Sequence, residues 1–129
     1  MTTGYSTTLR NAQLDAITTA VGSAGKLQIY DGSRPATGGA ATTKLAEFTL
    51  GTPFSAGASG AALAPNLPAN TTGLAAGTAT WFRITTSGGT AVIDGSVGTS
   101  GADLNLNTTT ISVALALSVT SFSITRGNP

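Results

Sequence analysis

From Thr78 to Thr125 the chain alternates apolar and polar residues in short runs broken by turn residues. Such a period-2 pattern buries one side of a β-strand and cannot form the stripe of a helix. In residues 79–85, Phe82 and Ile84 share one face, and Trp81 and Arg83 share the other. Ser87-Gly88-Gly89 suits a tight hairpin, with a return strand over 91–97. Gly98 to Gly101 then reads as a turn, Leu104 and Leu106 point the same way, and Asn107-Thr108-Thr109 turns again. Ile111, Val113, Leu115, Leu117 and Val119 occupy odd positions, whereas Phe122 and Ile124 occupy even ones. A strand cannot change phase without moving its side chains to the opposite face, so a bulge, bend or break is expected between Ala114 and Thr120.

The remainder fits around this sheet. Residues 1–7 are polar and read as an arm. Leu14, Ile17 and Val21 fall at helical spacing within 8–21, with Ser6, Thr7 or Thr8 available as a cap and Gly22 just past the end. That helix is expected to plug one face of the sheet. Leu27 to Tyr30 alternates as a strand and runs into Asp31-Gly32-Ser33-Arg34-Pro35, where nearly every residue favours a turn. Another strand is expected over 45–50. Residues 51–76 are rich in Gly, Ala, Ser and Pro and read as a long loop region anchored by Phe54 and Leu63, with a short strand near 61–64. Seven or eight short strands and one helix in 129 residues predict a single mainly β domain, an antiparallel β-sandwich or jelly-roll-like barrel with one short N-terminal helix.

Composition narrows the chemistry. Charged residues make up 9% of the chain, against roughly 25% in ordinary soluble domains, and the net charge is +1. That leaves no electrostatic footprint for nucleic acid or an anionic membrane, and no apolar stretch approaches the length of a bilayer span. A surface so poor in charge resists association weakly and suits coverage by a protein partner. No basic start followed by an apolar run marks a signal peptide. His and Cys are both absent, which excludes a Ser-His-Asp triad, thiolate chemistry, disulfides and the usual zinc sites.

The five acids are Asp15, Asp31, Glu47, Asp94 and Asp103. Asp94 and Asp103 could approach across the turn joining their strands, as a glycosidase pair must, but both stand beside turn residues, and a turn role is the simpler reading. No calcium-loop spacing is present. Gly22-Ser23-Ala24-Gly25-Lys26 departs from the phosphate-loop pattern at Ala20 and Leu27 and leads from helix to strand, the reverse of a phosphate loop. The Asn-Thr-Thr triplets at 70 and 107 match a glycosylation acceptor, as chance allows in a Thr-rich chain. No catalytic residue, cofactor or metal site is therefore expected. Arg83 beside Trp81 suits a binding pair, the cover of a sheet face or packing under a loop.

Two groups of strings carry a resemblance. Gly77-Thr-Ala-Thr-Trp-Phe-Arg-Ile84 with Val97-Gly-Thr-Ser-Gly-Ala-Asp-Leu-Asn-Leu-Asn107, and Leu9-Arg10-Asn11-Ala12 leading to Leu27-Gln-Ile-Tyr-Asp-Gly-Ser-Arg-Pro35, resemble small proteins encoded among the head genes of tailed bacteriophages. The resemblance implies a non-enzymatic virion structural protein, made in the host cytoplasm and bound to the outer capsid surface as a decoration or cement protein. Its partner would be the major capsid protein, with a homotrimer as the expected oligomer. The alternative in the same setting is a tail- or fibre-associated protein that attaches to the host surface, with Trp81 and Tyr30 stacking on sugars. Residues chosen as partner-binding are Thr2, Thr3 and Tyr5 on the arm, Arg34 and Phe54 on the loops, and Trp81 with Arg83 on the sheet.

Overall fold

A computed structural model describes residues 4–68 and 70–125, and Thr2 and Thr3 lie outside them. The chain is mainly β, a curled and mostly antiparallel sheet with one helix near the N-terminus, in keeping with a sandwich or barrel-like fold. Helix α1 spans Thr7–Val21. Ser6 caps it, its hydroxyl accepting from the Leu9 amide at 3.1 Å, and Gly22 ends it with φ +71°, where its N–H returns to the Thr18 carbonyl. Leu14 and Val21 are buried and Ile17 is partly so, which makes the helix a plug on the sheet, as its spacing predicts.

Strands β1 (Lys26–Tyr30), β2 (Lys44–Thr49), β6 (Trp81–Thr85), β7 (Ala91–Gly98), β8 (Leu104–Leu106) and β11 (Val119–Phe122) form one six-stranded sheet in the order β11-β8-β7-β6-β1-β2. Three two-stranded ribbons close around it. They pair β3 (Ala62–Leu63) with β12 (Ile124–Thr125), β4 (Thr71–Thr72) with β10 (Ala116–Leu117), and β5 (Gly77–Thr78) with β9 (Thr110–Ile111).

The core lies on the face that carries Leu27, Ile29, Phe48, Phe82 and Ile84, joined by Phe54, Leu63, Leu104, Leu106, Ile111 and Leu117. Fully burying side chains of this size stabilises by about 1.5–3 kcal/mol each. Phe82 sits opposite Gly95, and a Cβ there would run into its ring. Gly95 is thus the space that the ring fills.

Three local departures from simple alternation have visible causes. Tyr30 pairs with Lys44 and Ile29 with Ala46, so Leu45 is an extra residue, and this bulge turns it inward. At the other end of the chain, the expected bend is a turn at Val113–Ala114 followed by a register shift between Val119 and Ser121. Ala114 takes φ +66°, and Val113 is 68% exposed, so Val113 does not share the buried face of Ile111 and Leu117. Finally, β7 and β8 pair in parallel across only two residue pairs, although their connection is short. Parallel neighbours normally need a crossover of a dozen or more residues. Here a side-chain clamp folds the chain back: Asp103 Oδ2 accepts from the Ser96 amide and hydroxyl at 3.0 and 3.1 Å, and the Asp103 amide donates to Ser96 Oγ at 3.1 Å.

Candidate functional site

Every residue of β6 is buried, on both faces. The second face carries Trp81, Arg83 and Thr85, and a strap over 31–43 covers it. Trp81 Nε1 donates to the Asp31 carbonyl at 3.0 Å and to Thr42 Oγ1 at 3.1 Å. Asp31 closes the base of the strap, where its Oδ1 accepts from the Thr43 amide at 3.0 Å and its carbonyl also accepts from Thr42 Oγ1. The tip is held at Gly38, whose N–H donates to Asp94 Oδ2 at 3.1 Å. Gly32 and Gly38 have φ of +71° and +81°, which a residue with a side chain adopts only under strain.

Beneath the strap the register aligns two rows. Glu47, Gln28, Arg83 and Asp94 face one another across β2, β1, β6 and β7, and Lys44, Tyr30, Trp81 and Ser96 form the next row. Arg83 grips Asp94 with two bonds, Nε to Oδ1 at 2.8 Å and NH2 to Oδ2 at 2.9 Å, and the two side chains are 9% and 1% exposed. The guanidinium also lies 5.1 Å from the Trp81 ring centre, and Tyr30 stacks on that ring at 4.4 Å. At the far end of the row Gln28 joins Tyr30 to Glu47, and Lys44 bonds the same Glu47 oxygen at 3.0 Å.

These contacts set the charge states. Burial would raise the Asp94 carboxyl, but the Arg83 hydrogen bonds, the Gly38 N–H and the Arg83 charge outweigh it and hold it below its ordinary value. Glu47 behaves alike: burial is overcome by bonds from Gln28 and Lys44. Bonding to Asp94 raises Arg83, and burial raises the Tyr30 phenol. The arrangement is a set of matched charges locked by one another. It has the form of a cross-strand brace.

The residues chosen from sequence separate into two kinds. Trp81 and Arg83 do form a pair, but at 1% and 7% exposure they meet the strap and each other. Phe54 is fully enclosed and pins the 51–76 region to the core. Arg34 stands exposed on the strap and Tyr5 is half-exposed ahead of α1. Asp94 and Asp103 answer to different partners, Arg83 and Ser96; the turn reading made for both fits Asp103 at the chain reversal, whereas Asp94 lies within β7.

Sequence reasoning missed a different surface. No ionisable residue occurs between Glu47 and Arg83, and none between Asp103 and Arg126. The structure zips these two charge-free segments together, since each of the three small ribbons takes one strand from each. Two loops of these segments are clipped by bonds from the Gly73 amide to the Leu115 carbonyl at 2.8 Å and from the Ala114 amide to the Gly73 carbonyl at 2.9 Å. They expose Leu74 (53%) and Val113 (68%) amid Thr, Ser and Ala. The spacing of charges along the chain was the available signal.

No family model matches this chain, and neither does any curated protein or solved structure.

Proposed function

We propose that this chain is a non-catalytic virion structural protein, which binds the outside of a bacteriophage capsid and bridges its subunits as a decoration or cement protein. The observation that carries the reading is the pair of clipped loops, drawn from two segments without ionisable residues, on which Leu74 and Val113 stand exposed. Buried centres of protein interfaces are depleted in charge. A surface that is covered only in the assembled shell stabilises that shell by mass action. The resemblance of its sequence strings to phage head proteins points to the partner, the major capsid protein, and a homotrimer is the proposed bound form. The rival tail or fibre reading drew on Trp81 and Tyr30 as sugar platforms, and both rings are buried against each other.

Mixing the purified protein with expanded empty capsids tests the proposal by electron microscopy. Regular occupancy at fixed positions on the shell is expected, along with a higher disassembly temperature. Val113→Lys should abolish occupancy, because it places a charge at the exposed apolar surface without touching the core. Absent decoration of capsids, with attachment to tails or host envelopes instead, refutes the reading.

A further inference from the structure

A two-lobed cleft that shares no residue with the Leu74–Val113 surface runs along the junction of β11 and β12. The larger lobe has a volume of ≈ 450 Å³ and is walled by Asp103, Asn105, Ser121, Phe122, Ser123 and Thr125. The smaller, ≈ 160 Å³, reaches down to Phe82, Ile93 and Ile124. Their sum lies in the range of small-ligand clefts, roughly 300–1,000 Å³. Phe122 lines both lobes and is fixed there by an edge-on contact with Phe82, ring centres 5.2 Å apart.

The polar groups at the rim have bonding capacity left over. Asp103 Oδ2 is taken by Ser96, but among the described residues no group bonds Asp103 Oδ1, and no cation pairs with this carboxylate. Ser121 Oγ accepts from Asn105 Nδ2 at 2.9 Å and keeps its own proton to donate. The hydroxyls of Ser123 and Thr125 have no bond within the described residues. The clamp that reverses the chain between β7 and β8 therefore also fixes a carboxylate at the mouth of the cleft.

We propose that this cleft binds a hydroxyl-rich saccharide. A carboxylate oxygen accepts from sugar hydroxyls, Ser and Thr both donate and accept, and the Phe122 ring offers an apolar wall to the C–H face of a pyranose. A cationic ligand fits less well, because one exposed carboxylate attracts an ammonium only weakly in water. The inference does not rest on the capsid reading: it holds or fails whether or not Leu74 and Val113 meet a shell.

Amide NMR spectra of the intact chain, titrated with chitotriose, maltotriose and spermidine separately, test it. Either sugar should shift the amides of Asp103, Asn105 and Ser121 to Thr125. Asp103→Asn, which keeps the shape of the clamp, and Ser123→Trp, an exposed change that fills the cleft, should each weaken binding at least about tenfold with unchanged melting temperature. No shift at these amides with either sugar at about 10 mM, a level at which even a Kd near 1 mM saturates the site, overturns the proposal. Shifts with spermidine alone, or sugar shifts that survive Ser123→Trp, also overturn it.

Discussion

The pair formed by Arg83 and Asp94 makes the sharpest test of how this domain is held. Asp94→Ala removes both short bonds to the guanidinium and the acceptor that holds Gly38. Arg83 would be left with 9% of its side chain exposed and no counter-charge. Breaking such a pair from one side costs about 3–5 kcal/mol, because the remaining charge stays buried without compensation. Unfolding entropy of about 2.1 cal/mol/K per residue over 129 residues gives about 0.27 kcal/mol/K, so the loss appears as a fall of about 11–18 °C in Tm. The double variant Arg83→Met with Asp94→Leu removes both charges and keeps apolar bulk beneath the strap. It should lie within about 1–2 kcal/mol of the parent, since hydrophobic replacements of buried pairs are often neutral or better. Calorimetry of the three proteins decides the matter. Should the double variant melt as low as Asp94→Ala, the penalty would come from lost strap contacts, and the argument from an orphaned charge would be wrong.

Other outcomes follow from the same geometry. Asp94 and Glu47 have folded pKa values below their ordinary 3.8 and 4.5, so their contribution is complete above those values and fades as pH falls through the lower folded ones. Denaturant melts carried down through the acid range should show this loss, Asp94 providing most of it because the Lys44–Glu47 pair is more exposed, and Asp94→Ala should flatten the curve. Gly95→Ala drives a methyl into the Phe82 ring, which is 1% exposed and braced by Phe122; a loss of about 1–3 kcal/mol in denaturant unfolding is expected. Ala114→Gly relieves a left-handed residue worth about 1–2 kcal/mol against about 0.5–1 kcal/mol of added chain entropy, so the variant should melt slightly higher than the parent. Association through the exposed Leu74 and Val113 should change little between low and high salt in sedimentation runs, whereas binding through Arg34 would weaken as salt rises.

Much of the sheet was legible because period-2 alternation reports directly on burial. Phe82 and Ile84 against Trp81 and Arg83, the hairpin after Thr85 and the phase change after Val119 all follow from it. What alternation cannot report is a strand buried on both faces. For Trp81 and Arg83 the sequence leaves a binding pair and a covered pair both open, because the cover over them comes from 31–43, a Gly-, Thr- and Ala-rich segment with no periodicity. The parallel contact of β7 with β8 was hidden for a similar reason, since it rests on one Asp–Ser clamp. Val113 was assigned to the core because it keeps phase with Ile111 and Leu117, and only the positive φ of its neighbour Ala114 takes it out.

The distribution of charge separates the central strands from the segments that form the small ribbons. The central strands concentrate their ionisable groups into one layer, where Arg83 meets Asp94 and Lys44 meets Glu47. Each pair is neutral as a unit, so the brace adds rigidity without projecting a field. The segments that form the small ribbons carry no charge at all, and they are the ones that the chain must bring together from far apart in sequence. Exposed charges on edge strands are the common protection against unwanted pairing. Here the ribbons are only two residues per strand, too short to template a long edge, and that shortness does the work that charge would otherwise do. Segments built in this way tolerate the exposed Leu74 and Val113.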